Sequence, residues 1–521
     1  MTDLTNTDLD VLVVGGGIVG AGVALDAVTR GLRVGLLSGG DWAEGRSSHT
    51  STLVHGGLVA LSRIGVAAVA ALRRERDLLL DVTAPHLVRR VPLLVPYHHG
   101  LPERLSVGAG LSLYDAAAFS FRQPGALPGH RQLTRRAVQR LAPSLDITSI
   151  SGAAQLYEAQ VDDARLTLAV VRTAIAYGTV ARARCPVQRL VRDQGRVVGA
   201  ELGSAGRSAV VRARCIVLAT GSERSPLLPD AGSGGAPEGA PGAAPDEVSR
   251  TGPETVHLVL PRARLRVSTG LVLRTDEQAV YVVPWGRHWI VGSTAAWSEP
   301  NRLLAELNRH LVRPVPAEAV ESTYAIPAAL GPDSERVPTV QTPAAGLVLV
   351  RGSGLAGYRA DAERAVDVAV TQLGGLHPAS VTRRVPLLGA DGFPARWNQR
   401  HLLARRAGLH VLTMEHLLRR HGSQVDILIE AIREHPELGR PLPGAEDYLA
   451  VEVWYAVAHE HATQLSDVLV RRTRIARETW DGGAEAAGAV AELMAAQLGW
   501  DDREISRQIS AHLAEVSQGR R

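Results

Sequence analysis

Six residues near the start of the chain, Gly15-Gly-Gly17-Ile-Val-Gly20, carry the clearest chemistry in the sequence. The pattern G-x-G-x-x-G binds the pyrophosphate of a dinucleotide. Gly15 permits a tight turn, Gly17 lets the backbone approach the phosphates, and Gly20 lets the next helix pack on the preceding strand. Amides at the helix start then face the anion. The pattern is weak alone and strong between a strand and a helix, the context it has here. A carboxylate usually ends the second strand and grips the ribose; Ser38 stands there, and its single hydroxyl also leaves an NADP-type site open. All 57 Lys+Arg residues are arginine. At a lysine usage of even about 2 % the chain would hold about ten. Schiff-base chemistry and a Walker-type phosphate lysine are thereby excluded, as is acetylation or conjugation at a side-chain amine. Cys185 and Cys215 are too few for a disulfide framework or a metal site, which fits a reducing compartment. His98-His99 and His459-Glu-His461 have no further ligand cluster, so no metal is expected. Asp162-Asp163 precede a helical run and read as N-cap residues.

The elements that must position these groups follow from hydrophobic period. Asp10-Val-Leu-Val-Val14 is a buried parallel strand, 18–32 a helix and Leu32–Leu37 a second strand, so one βαβ unit opens the chain. Residues 63–81 have helical period, with Arg73, Arg74, Arg76 and Asp77 on the outer face. That helix could lie on a membrane surface, but its mixed charges favour ordinary packing. Strands are expected at 196–202, 209–214 and 216–219, and again near 257–260, 270–274, 279–283, 288–292 and 346–350. Residues 229–253, rich in Gly, Ala and Pro, read as a flexible insertion, and from 395 the pattern is helical to 521. Net charge is +4 with arginines scattered, so no nucleic acid partner is expected. The first residues lack the basic region of a signal peptide, and no run reaches the roughly 18 apolar residues of a membrane span. A cytoplasmic protein is expected, with a peripheral contact at the inner membrane face left open.

Two resemblances sharpen this. Cys215-Ile-Val-Leu-Ala-Thr-Gly221 resembles the strand ending of two-dinucleotide-binding flavoproteins, favouring FAD over NAD. Ser47-Ser-His-Thr-Ser-Thr-Leu-Val-His-Gly-Gly-Leu58 is similar to the FAD-dependent glycerol-3-phosphate dehydrogenases, as are Gln160–Leu166, Val256–Arg262, Val283–Thr294, Gly357-Tyr-Arg359, Glu452–Ala456 and Asp467–Arg474. The resemblance covers nearly the whole chain. It implies an α/β fold: an FAD-binding Rossmann-like domain, a β-rich substrate domain and an α-helical C-terminal domain. An oxidoreductase domain would span 1–394, with the FAD part at about 1–80, 150–228 and 340–390 and the substrate part at about 81–149 and 254–339. A helical domain would follow at 395–521.

The activity implied is hydride transfer from a carbinol C–H to FAD, with reduced flavin passing electrons to a quinone or oxygen. Implied cofactor residues are Gly15, Gly17, Gly20, Ser38, Ser47, Ser48, Thr220, Gly221, Gly352, Gly354 and Leu355. Implied catalytic residues are His55 and His257, suited to proton transfer, and Arg336, matching a family arginine at the substrate phosphate. Other positions depart from the family: Thr52 and Gly354 stand for lysines, Val59 and Ala60 for Arg-Tyr, Ala328 for an arginine, and Ala295 for an aspartate. A phosphate dianion out of water needs paired cations, so the losses imply a remodelled phosphate site. Three readings stay open: glycerol 3-phosphate oxidation, oxidation of another small hydroxy or amino substrate, or a flavin-binding homologue without activity. Trp297 either lines the pocket or packs in the core, Arg471, Arg472 and Arg474 are expected in interdomain salt bridges, and a homodimer is compatible with the sequence.

Overall fold

A computed structural model describes residues 4, 7–55, 61–119, 127–204, 207–221, 227, 254–275, 278–294, 296–327 and 338–519. The insertion at 229–253 and Val59, Ala60, Ala295, Ala328 and Arg336 lie outside the described residues. The chain divides into two compact units. The first comprises 1–48, 166–253 and 327–385, the second 49–165, 254–326 and 386–521.

The first unit is built on an eight-stranded sheet whose main path runs 339–344, 347–351, 207–218, 9–14, 34–37, 180–182. Its centre is parallel: Val14 lies opposite both Leu218 and Leu37. The hairpin Val187–Asp193/Arg196–Ser204 extends from the long strand Arg207–Leu218, which runs through the two strands expected at 209–219. The apolar runs fit burial on both faces; Leu12, Ile216, Leu218 and Leu347 are all fully enclosed. Helix Ile18–Thr29 packs on helix Tyr358–Leu373, and a Cβ on Gly22 would meet the Tyr358 ring at 2.9 Å. Asp26, buried in the first helix, binds Arg30 (2.6 Å) and Thr382 (3.2 Å) and accepts from Ser380, tying the segment after the second helix to it.

The second unit is built on a nine-stranded sheet in the order 322–327, 254–261, 288–293, 279–285, 270–274, 89–97, 152–160, 53–54, with 131–134 also paired to 152–160. Strand alternation sends Leu258, Leu260, Leu271, Val280, Val282 and Val291 into one core. Trp297 packs against that core with Arg302 over its ring. Residues 49–80 and 150–165, expected with the nucleotide part, cluster here because Gly152–Gln160 pairs along its length with Arg89–Tyr97 and carries Leu53–Val54. The C-terminal helices fold in this unit around Met414, Leu417, Leu428, Val453 and Met494. The region is not wholly helical, since Pro441–Leu442 and Ala445–Leu449 form a hairpin.

One expectation is reversed. Of the four residues placed on the outer face of the helix Leu61–Leu78, Arg73 and Arg76 are buried. Arg76 donates to Glu158 (2.9 Å) and to the Tyr114 hydroxyl (3.1 Å), and Tyr114 donates to Glu158 (2.9 Å). A buried guanidinium is tolerable only with such a partner, and Glu158 arrives from a distant strand. Asp162 does cap, accepting from the Arg165 amide at 3.1 Å, but it and Asp163 also anchor the C-terminal helices. Arg474 donates to Asp162 (2.6 Å) and to Asp163, and Arg420 lies 3.4 Å from Asp162. Burial alone would raise the Asp162 carboxyl, yet Arg474 and Arg420 hold it at about 2. Arg471 pairs with Asp467, and Arg472 donates to the Glu460 carbonyl. Among the described residues no helix is long and apolar enough to cross a membrane, and no cluster of His, Cys, Asp and Glu could hold a metal ion.

Candidate active site

In the first unit the glycine motif forms a cradle that side chains would fill. Gly15 has φ +133°, and a Cβ there would sit 2.3 Å from the Ala219 carbonyl oxygen. A Cβ on Gly20 would sit 2.0 Å from the Gly15 oxygen, closing the turn against the strand. Gly17 occupies the N-cap of Ile18–Thr29 and supplies no side chain to it; Ser47 accepts from the Ile18 amide at 2.9 Å. Ser38 is buried and donates to the Asp41 carbonyl at 3.3 Å, and the indole N–H of Trp42, buried beside Gly16, finds no acceptor among the described residues. Thr220, Gly221 and Gly354 are exposed, with φ +74° and +107° at the two glycines and open space around both. The turn Gly352-Ser-Gly354 is fixed by Asp361, which accepts from the Ser353 amide (2.6 Å) and hydroxyl (2.8 Å). A Cβ on Gly352 would meet Val19 at 2.4 Å. A helix start whose N-cap residue has no side chain, close glycine contacts and an orphaned buried donor fit a bound dinucleotide.

In the second unit a row of polar side chains crosses adjacent strands. Leu258 pairs with Val291 and Tyr281 with Gly292, which brings Tyr324, His257, Gly292 and Tyr281 onto one face. His257 is 1 % exposed. Its Nε2 is hydrogen-bonded to the Tyr281 hydroxyl, its Nδ1 lies 3.4 Å from the Thr255 carbonyl, and its ring stacks on Tyr324 at 5.1 Å and 18°. Donation from Nδ1 to Thr255 leaves Nε2 as the acceptor; these partners assign the tautomer. Gly292 makes the pairing feasible, since a Cβ there would lie 2.4 Å from Tyr281 and 2.5 Å from His257. Burial holds His257 at about 3, against the Thr255 hydrogen bond and with help from Arg477, so it is neutral near pH 7. The Arg477 guanidinium lies over Tyr324, 4.2 Å from its centre, and the Tyr324 hydroxyl donates to the Thr50 carbonyl at 3.2 Å. Burial pushes Tyr281 far above the ordinary tyrosine range and Tyr324 up to about 12. Arg89 donates twice to the Gln160 side-chain oxygen (2.9 and 2.6 Å). A buried neutral imidazole beside hydroxyls and arginines can take a proton from an alcohol whose substrate carries negative charge.

The profile of the FAD dependent oxidoreductase family matches residues 10–359, and that of the C-terminal domain of alpha-glycerophosphate oxidase matches 380–505. Glycerol-3-phosphate dehydrogenase 2 of Mycobacterium tuberculosis is 36 % identical, over 98 % of this chain and 89 % of its own. The chain belongs to the FAD-dependent glycerol-3-phosphate dehydrogenase family. The glycerol-3-phosphate dehydrogenase of Mycobacterium leprae is also 36 % identical, over 97 % of this chain and 88 % of its own. Among solved structures, the glycerol-3-phosphate dehydrogenase of Bacillus halodurans complexed with FAD shares the fold at a TM-score of 0.75. It has 23 % identity and covers 99 % of this chain and 96 % of its own. The chain is an FAD-dependent oxidoreductase of the α/β class.

Within this family member, the expected cofactor residues Gly15, Gly17, Gly20, Ser38, Ser47, Ser48, Thr220, Gly221, Gly352, Gly354 and Leu355 all fall in the first unit. Of the expected catalytic residues, His257 stands in the polar row, and His55 is exposed with Nε2 3.5 Å from Ser51 Oγ. Ser51 lies near enough to the Tyr281 phenol to lower its pKa against burial. Thr52, at a family lysine position, is buried with φ +62°, a conformation that disfavours a β-branched residue. It accepts from Gln160 Nε2 at 3.1 Å, so its hydroxyl is already engaged. Sequence reading missed Tyr281, Tyr324, Arg477, Gly292 and Asp361. Strand alternation could have found Tyr281, which shares a parity with the apolar Val283 beside it.

Proposed function

We propose that the enzyme oxidises the secondary alcohol of sn-glycerol 3-phosphate, with the first unit holding FAD and the second unit the substrate. The observation that carries the reading is the buried, neutral His257 in its polar row, in a chain 36 % identical along its length to glycerol-3-phosphate dehydrogenases. Gly15, Gly17 and Gly20 would hold the pyrophosphate, Ser38 the ribose, and Ser47, Ser48, Thr220, Gly221, Gly352, Gly354 and Leu355 the rest of the cofactor. When bound, FAD supplies the acceptor for the hydride of the carbinol carbon. His257 serves as the base that answers loss of the hydroxyl proton, with His55 serving proton exchange with solvent. Arg336 would bind the phosphate in a site that lacks the family cations at Thr52, Val59, Ala328 and Gly354. Burial of the row excludes water from the reacting carbon and strengthens the field of the arginines. A quinone or oxygen would take the electrons, quinone requiring a peripheral membrane contact.

The test is anaerobic. Purified enzyme should show flavin absorbance that bleaches on millimolar sn-glycerol 3-phosphate; flavin that stays oxidised under those conditions refutes the substrate assignment.

A further inference from the structure

Both nitrogens of His257 are occupied within its own unit. Nδ1 faces the Thr255 carbonyl and Nε2 the Tyr281 hydroxyl, while Tyr324 covers the ring and Arg477 lies over Tyr324. His257 is 1 % exposed, whereas Tyr281 is half-buried. A substrate hydroxyl therefore has no free nitrogen to meet, and of the pair only Tyr281 retains exposure through which a substrate can reach it. Gly292 maintains this contact, because any side chain there would enter the space shared by the two rings. Ser51 reaches the same phenol, and its hydroxyl lies 3.5 Å from the exposed His55, so the pair is linked to solvent.

We infer that Tyr281 is the catalytic group that touches the substrate hydroxyl, and that His257 acts through it as a buried base. The inference rests on the proposed alcohol oxidation. In the step, the substrate O–H bond breaks and its proton joins the Tyr281 oxygen. The Tyr281 O–H bond breaks in concert, and that proton joins His257 Nε2. The carbinol hydrogen leaves with its electron pair to the FAD of the established oxidoreductase activity, and the substrate becomes a ketone. Tyr281 ends as it began. Burial makes His257 a poor resting place for the proton, which favours its return through Tyr281 towards Ser51 and His55. The titratable or charged groups facing His257 are Tyr281, Tyr324 and, beyond Tyr324, Arg477.

The experiment compares wild type, Tyr281→Phe, His257→Gln and the double variant as FAD-loaded enzymes in anaerobic stopped flow with sn-glycerol 3-phosphate. A relay loses the whole proton-transfer advantage when either member goes, about 100-fold or more in the rate of flavin bleaching. The double variant should then be no slower than the slower single one. Tyr281→Phe bleaching within threefold of wild type, while His257→Gln is slow, overturns the relay. Flavin content and unfolding temperature of each variant separate misfolding from lost chemistry. A second readout needs no turnover: 15N spectra of the imidazoles in the flavin-free protein, with His257→Gln giving the assignment. The relay requires His257 to carry its proton on Nδ1, and Tyr281→Phe to shift the Nε2 resonance. A proton on Nε2 overturns the relay even if wild type fails to bleach, a failure that would itself strike only the substrate assignment.

Discussion

Three histidines in the second unit are buried as neutral rings, and their burial makes the unit acid-sensitive in a definite window. Burial holds His86 and His257 at about 3 and His421 at about 4, with Arg165 adding to the shift at His86 and His421. An unfolded histidine titrates near 6.5, at about that value in model peptides. Because the folded values lie below the unfolded one, the stabilisation is fully present above pH 6.5 and is lost as pH falls towards the folded values. At pH 5.5 each ring should have lost on the order of 1 kcal/mol relative to pH 8, a few kcal/mol together, a large part of a domain's typical stability. His310 is lowered by burial too and acts in the same direction. The carboxylates held low lie outside this window: Asp162 at about 2 and Glu452, held well below its ordinary range by His416, His421 and Arg420 against burial, weaken the fold only at lower pH. Urea unfolding followed by tryptophan fluorescence at pH 8, 6.5 and 5.5 measures the effect, and His86→Gln should reduce the pH-dependent loss by about a third. Unchanged stability between pH 8 and 5.5 would refute the argument, as would an unaltered pH slope in variants of all three rings.

Other outcomes are equally definite. Gly292→Ala places a methyl 2.4 Å from Tyr281 and 2.5 Å from His257; the overpacking should cost about 1–3 kcal/mol, seen as a lower unfolding temperature and slower flavin bleaching. Asp361→Ala frees the Ser353 amide and hydroxyl, and titration of the flavin-free protein with FAD should show affinity down by about 10–100-fold, with Asp361→Asn recovering most of it. Arg165 donates to the buried Glu460 at 2.7 Å and to the Arg420 carbonyl at 3.0 Å. Arg165→Met should destabilise the second unit by about 3–5 kcal/mol in denaturant unfolding, and loss under 1 kcal/mol would show the pair to be dispensable.

What the sequence reveals depends on how local the physics is. The glycine turn and the central strands were legible because a tight turn and a run of buried residues are written in neighbouring positions. Helix Leu61–Leu78 misled because arginine in a periodic pattern normally marks the solvent face; the partner that allows Arg76 inside is Glu158, which the strand register delivers from 82 residues away. Asp162 and Asp163 looked like caps for the same reason, with their arginine partner more than 300 residues distant. The site divides likewise. His257 could be picked out as a proton-transfer candidate, but its contact with Tyr281 could not, because that contact exists only when three strands align and the residue between them has no side chain.

The grip of Arg474 and Arg420 on Asp162 and Asp163 has an evolutionary consequence. Domains at the end of a chain are ordinarily the easiest to trade between lineages, because a linker is all that must be cut. Here a recombinant that received a foreign tail without those arginines would inherit two largely buried acids without the cations that balance their charge. The acids and the arginines are thus one heritable unit spread across two distant stretches of gene, and the tail should descend with the body it was born with.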